Sequence, residues 1–254
     1  MSDANKMGMN RTGIDMSPVQ AKAMRKIAGQ QDSSPASHKV MDQIRALYVS
    51  EGGAVGSVPL PGSFTGALSS FKEKVKGNAP ELLINKLGQR LAFERAGIRL
   101  YEMLIAKCQT MPDELASRVI SVDALKQFRD EEAQHFLLVH KIMESLGADP
   151  TAMTPDADVS AMASMGIVQV LTEPRTSILQ CLEALQTLEL TDNAAWTLLQ
   201  EICLSMGLND MAKEFTTAIE QEEVHAYTIT QWIRQLAIHR GSGKDPDPDL
   251  VTTH

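Results

Sequence analysis

Apolar residues recur at intervals of three and four along most of this chain, and strict alternation is scarce, so the pattern is that of helices. Four stretches sustain it. The first runs from about Pro80 to Cys108, with Pro80 suited to an opening turn, and the second from about Val122 to Leu146. The third covers about Thr176 to Met206, and the fourth about Asp210 to His239. Gly147, Gly207 and Gly241 follow the last three, where a left-handed residue commonly stops a helix. The predicted fold class is therefore all-α, a four-helix bundle over residues 80–240. Ahead of it, residues 1–79 form an extension that is partly disordered. It carries one short helix near Val19 to Ala28 and another capped by Ser34 or Ser37 and running to about Val49. A Gly- and Pro-rich break follows, then a short amphipathic piece from Phe64 to Val75. Residues 241–254, rich in Gly, Asp and Pro, are expected to be a disordered tail.

Connection lengths predict the topology. About a dozen residues, around Thr110 to Ser121, join the first two patterns, and only a few join the last two, so each pair reads as an antiparallel hairpin. Gly147 to Pro174, with a short apolar helix near Met162 to Leu171, separates the two pairs. A bundle of such helices is roughly 40 Å long at 1.5 Å per residue, and this connection is long enough to cross it. The third helix then lies parallel to the second.

Acidic residues interrupt the apolar stripes at their centres. Glu94 falls among Leu83, Leu87, Leu91, Ile98, Tyr101 and Ile105, and Glu189 among Ile178, Leu182, Leu185, Leu199 and Ile202. Glu132 and His135 lie between Phe128 and Val139, and Glu222 and His225 between Ala218 and Ile229. The motif Glu-x-x-His thus occurs twice, and its spacing sets carboxylate and imidazole on one helical face, a turn apart. Buried carboxylates without partners take up protons or bind cations. Four glutamates balance two divalent ions, and two imidazoles complete a ligand set suited to iron or manganese. Glu131 and Glu223, beside the motifs, read as solvated charges, and His140 and His239 as ordinary helix residues.

Composition narrows the setting. A chain of 254 residues, 43% hydrophobic, can bury one sizeable core, and a net charge of −8 argues against binding nucleic acid or an anionic membrane. The odd cysteine count (Cys108, Cys181, Cys203) argues for buried thiols in a reducing, cytoplasmic setting. No signal peptide and no membrane span is expected.

On the set Glu94, Glu132-x-x-His135, Glu189 and Glu222-x-x-His225, residues 80–239 resemble the ferritin-like superfamily of di-iron and di-manganese carboxylate proteins. Bacterioferritins, rubrerythrins and manganese catalases belong to it. The resemblance implies a ferritin-like bundle with one long crossover, bridging roles for Glu132 and Glu222, and terminal roles for Glu94 and Glu189. His135 and His225 would each hold one metal. Tyr101, seven residues after Glu94, matches a tyrosine that reaches a ligand carboxylate in bacterioferritin-like proteins, and is the candidate catalytic residue. Trp196, seven after Glu189, departs from that pattern, because an indole only donates. Asp192 is similar to the extra carboxylate of rubrerythrins, and reads equally as a surface polar residue. No pair of Cys-x-x-Cys motifs supplies a rubredoxin-type iron centre.

The resemblance implies a di-iron oxidoreductase with two Fe ions, acting on dioxygen or peroxide, in a homodimer. The alternatives are peroxide disproportionation at two Mn ions, non-catalytic iron binding or storage, and a structural bundle with an empty site.

Overall fold

The computed structural model describes residues 18–30, 36–59, 80–111 and 113–243, and among these no strand occurs. They fall into two compact units, one spanning Asn5–Val55 and the other continuing from Gly56. The first unit contains helices α1 (Pro18–Ala28) and α2 (Ala36–Glu51). Ser37 lies inside α2, while Ser34 and the piece from Phe64 to Val75 lie outside the described residues.

The second unit is built from α3 (Pro80–Thr110), α4 (Glu114–Val119), α5 (Val122–Ser145), α6 (Pro155–Thr172), α7 (Ile178–Ser205), α8 (Asn209–Glu214) and α9 (Thr216–Ser242). Local chemistry explains the boundaries. Ser121 accepts from the Ala124 N–H to open α5, and Ser177 and Gln180 form a reciprocal capping box at α7. Gly147 and Gly207 take positive φ after α5 and α7, as a left-handed stop requires.

Several boundaries differ from those expected. The fourth helical pattern is broken at Phe215, a fully buried residue that separates α8 from α9. Its stop is Gly243 at φ 69°, not Gly241, and the Gly243 N–H donates to the His239 carbonyl at 2.8 Å. The link from Thr110 to Ser121 folds into α4, which Asp113 caps and whose Leu115, Ala116 and Val119 join the core. Asp113 also pairs with Arg240 at the end of α9.

Helix α3 packs chiefly against α5, and α9 against α7, while α3 also faces α7. The crossover can be followed from end to end along α3. Where α6 begins, the Asp156 N–H donates to Asn85 Oδ1 at 3.0 Å and Lys86 pairs with Asp156 at 2.7 Å. Where α6 ends, Lys107 Nζ donates to the Glu173 carbonyl at 2.7 Å. Asn85 and Lys107 are about 33 Å apart along a helix at 1.5 Å per residue, so the connection traverses the bundle and starts α7 beside the start of α5. Helix α6 itself reaches back to Pro155, further than its apolar core suggests. No helix among the described residues is long and apolar enough to cross a membrane.

Two apolar clusters fill the bundle. One contains Tyr101, Leu104, Phe128, Leu185 and Ile229, and the other Leu87, Leu91, Val139, Trp196 and Phe215. On every long helix the residues between the two clusters include the acidic ones. The core is thus two apolar halves with a polar layer between them.

Close approach of the crossover to α3 depends on Gly88, because a Cβ there would lie 2.5 Å from Thr154 Cγ2 and 2.6 Å from its Oγ1. Gly88→Ala should lower stability by about 1–3 kcal/mol through overpacking, and adding Thr154→Ala should recover part of that loss. Denaturant unfolding of the single and double variants measures both.

Candidate metal centre

The bundle brings the six predicted residues into one layer. Glu94 on α3, Glu132 and His135 on α5, Glu189 on α7, and Glu222 and His225 on α9 are each 0–2% exposed. Ligand atoms of Glu132, Glu189, Glu222 and His225 lie within 4.8 Å of one another, as do those of Glu94, His135 and Glu222. Both imidazoles aim Nδ1 into the layer. His135 Nδ1 is 2.9 Å from Glu222 Oε1, and His225 Nδ1 is 3.5 Å from Glu222 Oε2 and 3.6 Å from Glu189 Oε2.

The four glutamates fall into two kinds by what holds them. Glu94 Oε1 accepts from Arg90 Nε at 2.9 Å and Glu189 Oε1 accepts from the Tyr101 hydroxyl at 2.7 Å, which leaves Oε2 of each without a hydrogen-bond partner. Neither oxygen of Glu132 or Glu222, and neither imidazole Nδ1, has a hydrogen-bond partner outside the layer, and within it His135 Nδ1 and Glu222 Oε1 approach to 2.9 Å. Buried polar atoms are rarely left so, and eight of them converge here. Their chemistry, six oxygens and two nitrogens, suits hard-to-borderline metal ions, and the layer could hold a metal ion.

Outward-facing ring nitrogens are held as well. His225 Nε2 bonds Glu131 Oε2 at 2.7 Å, and His135 Nε2 bonds Gln221 Oε1 at 2.9 Å. The expectation that Glu131 is a solvated charge is thus wrong: its side chain is only 13% exposed and supports an imidazole. Glu223 is exposed, as expected, and His140 pairs with Glu144 one turn along α5. Tyr101 is fully buried, and its pKa is pushed well above the ordinary phenol range by burial and then by Glu189, so it remains protonated.

Asp192 is not a surface residue. It is fully buried, and Arg90 Nη1 reaches its Oδ1 at 2.9 Å. Arg90 therefore links Glu94 to Asp192, with its guanidinium 4.5 Å from the Phe93 ring centroid. Trp196 is fully buried, stands edge-on to His135 at 5.6 Å, and leaves Nε1 without a hydrogen-bond partner. Glu94 takes its hydrogen bond from Arg90, as Glu189 takes one from Tyr101. Arg90 lies one turn before Glu94, in the stripe of Leu83, Leu87 and Leu91, so its position was a readable signal. A second readable signal was Gly97, one turn after Glu94. A Cβ at Gly97 would lie 2.3 Å from Glu132 Oε2, so the missing side chain makes room for that carboxylate.

Five buried carboxylates (Glu94, Glu132, Glu189, Asp192, Glu222) and one buried guanidinium leave four uncompensated negative charges when both imidazoles are neutral. Without cations the layer must hold protons. Burial, followed by Glu222 and Glu94, pushes Glu132 well above the carboxylate range, and burial pushes Asp192 up likewise. Glu189 rises, mainly by burial, from 4.5 to about 7. Burial alone would lower His135, but the contacts with Glu222 and Glu94 overcome it and raise the ring from 6.5 to about 10. Glu222 is driven the other way, to about 2, because His135 and His225 outweigh its burial.

No family model, curated protein or solved structure matches this chain. The reading of the centre rests on its own residues.

The pH dependence follows from these shifts. Glu189 and His135 bind protons more tightly in the folded than in the unfolded chain, so metal-free protein loses stability as pH rises through 4.5 to 7 and through 6.5 to 10. Glu222 acts oppositely, supporting the fold above 4.5 and ceasing to do so toward about 2. The melting temperature of chelator-treated protein should fall between about pH 5 and pH 9, and the gain from added divalent metal should grow over the same range. Thermal unfolding at several pH values, with and without metal, checks both slopes.

Proposed function

We propose that the second unit is a ferritin-like bundle built around a di-metal carboxylate centre, and that this centre is a di-iron oxidoreductase acting on dioxygen or peroxide. One observation carries the reading. The two glutamates with neither oxygen tied to a residue outside the layer, Glu132 and Glu222, are those of the two Glu-x-x-His motifs, while the two with one oxygen tied from outside, Glu94 and Glu189, are the lone ones. That division fits Glu132 and Glu222 being shared between two ions and Glu94 and Glu189 each serving one. His135 with Glu94 would complete one metal's ligands, and His225 with Glu189 the other's. The remaining charge of −4 in the layer equals that of two divalent cations in magnitude.

Two such ions, when bound, supply electrons and a paired Lewis acid for reducing a small oxidant. The chain's own residues do the rest. Burial of all six ligands keeps bulk water and large substrates out of the layer. Tyr101 holds a proton between its hydroxyl and Glu189 Oε1, within reach of the centre. Arg90 orients Glu94, and Glu131 and Gln221 orient the two rings.

Iron(II)-loaded protein is expected to consume dioxygen or peroxide. Glu132→Ala and Glu222→Ala should each reduce the rate at least about a hundredfold, since even residues supporting a ligand typically matter 10–100-fold. Loaded wild-type protein that consumes neither oxidant would remove the oxidoreductase reading. Oxygen release from peroxide by the manganese-loaded form alone would replace it with disproportionation.

A further inference from the structure

The two halves of the centre have like ligands and unlike supports. In one half, the ring of His225 is held by the Glu131 carboxylate at 2.7 Å, and Glu189 accepts from the neutral Tyr101 phenol at 2.7 Å. In the other half, the ring of His135 is held by the Gln221 amide at 2.9 Å, and Glu94 accepts from the Arg90 guanidinium at 2.9 Å. Glu131 and Gln221 occupy matching places. Each directly precedes the glutamate of a Glu-x-x-His motif, and each reaches the histidine of the opposite motif. A carboxylate therefore stands where its counterpart is a neutral amide.

Both differences act in one direction. A carboxylate accepting the outer N–H makes the imidazole a stronger donor through its inner nitrogen, and does so more than an amide can. A guanidinium hydrogen-bonded to Glu94 draws more negative charge from that carboxylate than a phenol would. Asp192 adds a negative charge on the Arg90 side. Its Oδ1 is 2.9 Å from Arg90 Nη1, however, so the pair is neutral as a unit. The donor groups themselves do not separate the halves: besides the group of Glu132, Glu189, Glu222 and His225 and that of Glu94, His135 and Glu222, ligand atoms of Glu94, Glu132, Asp192 and Glu222 also lie within 4.8 Å of one another, so the difference lies in the supports.

We propose that the centre is site-differentiated. The half made by Glu189 and His225 takes the first divalent ion and holds it more tightly, and the half made by Glu94 and His135 takes the second, weaker and exchangeable ion. Glu131, Gln221 and Arg90 are the positioning residues that set this order. The inference rests on the di-metal reading given above, and extends it to the sequence of loading.

Titration of metal-free, full-length protein with cobalt(II) in the absence of oxygen, followed by heat and by visible absorption, tests it. Wild type should bind one ion in each of two steps separated by at least about tenfold in affinity. Glu131→Gln should weaken the first step by about 10–100-fold and leave the second unchanged. Gln221→Glu should strengthen the second step by about tenfold and bring the two together. Glu131 and Gln221 are both partly exposed, so these near-isosteric changes should leave the fold intact, which circular dichroism verifies. Two equal ions in wild type, or a Glu131→Gln effect confined to the second step, would overturn the differentiation and leave the di-metal reading standing. Failure to bind any cobalt would overturn both.

Discussion

A layer of uncompensated negative charge lies across the middle of an apolar bundle, and the rest of the second unit is arranged around it. Each of its carboxylates would cost several kcal/mol to bury ionised and alone. The layer is nevertheless continuous across α3, α5, α7 and α9, with apolar clusters on both sides. Only part of the charge is answered within the chain, by Arg90. The remainder calls for protons or cations, and the direction of the inner nitrogens and free oxygens favours cations, because eight donor atoms share one small space.

The scaffold meets the geometric demands of that layer at specific places. Gly97 opens room for Glu132, and Gly88 lets Thr154 and the crossover lie close against α3. The crossover is what allows two hairpins to present their acidic positions at one height. Because it runs from beside Asn85 to beside Lys107, α7 starts at the same end as α5, and Glu189 meets Tyr101 from α3. Capping at Ser121 and Ser177 then sets where α5 and α7 start, and hence which turns carry Glu132, His135 and Glu189.

Much of this was legible in the chain itself. Period and glycine stops located the four long patterns, and the length of the 147–174 connection implied a crossing that the contacts at Asn85 and Lys107 bear out. The six inward residues were legible because an acidic residue at the centre of an apolar stripe is costly, and two repeats of Glu-x-x-His made coincidence a poor explanation. What was not legible depends on what lies across the bundle. A helical face can be read from spacing, but the residue opposite cannot. Hence spacing left Asp192 open between an extra carboxylate and a surface residue, which its contact with Arg90 decides, and Glu131 read as solvated although it lies against His225. The break at Phe215 was hidden because α8 and α9 are both apolar-periodic and only this one buried residue separates them.

Metal content per chain tests the central claim most directly. Protein produced with both iron and manganese available, and analysed for elements after desalting, should carry about two ions per chain. Glu132→Ala should lose at least one of them, because Glu132 belongs both to the group with Glu189, Glu222 and His225 and to the group with Glu94, Asp192 and Glu222. Wild-type protein with no bound metal, indistinguishable from Glu132→Ala, would contradict the account and leave the buried charge to be met by protons alone.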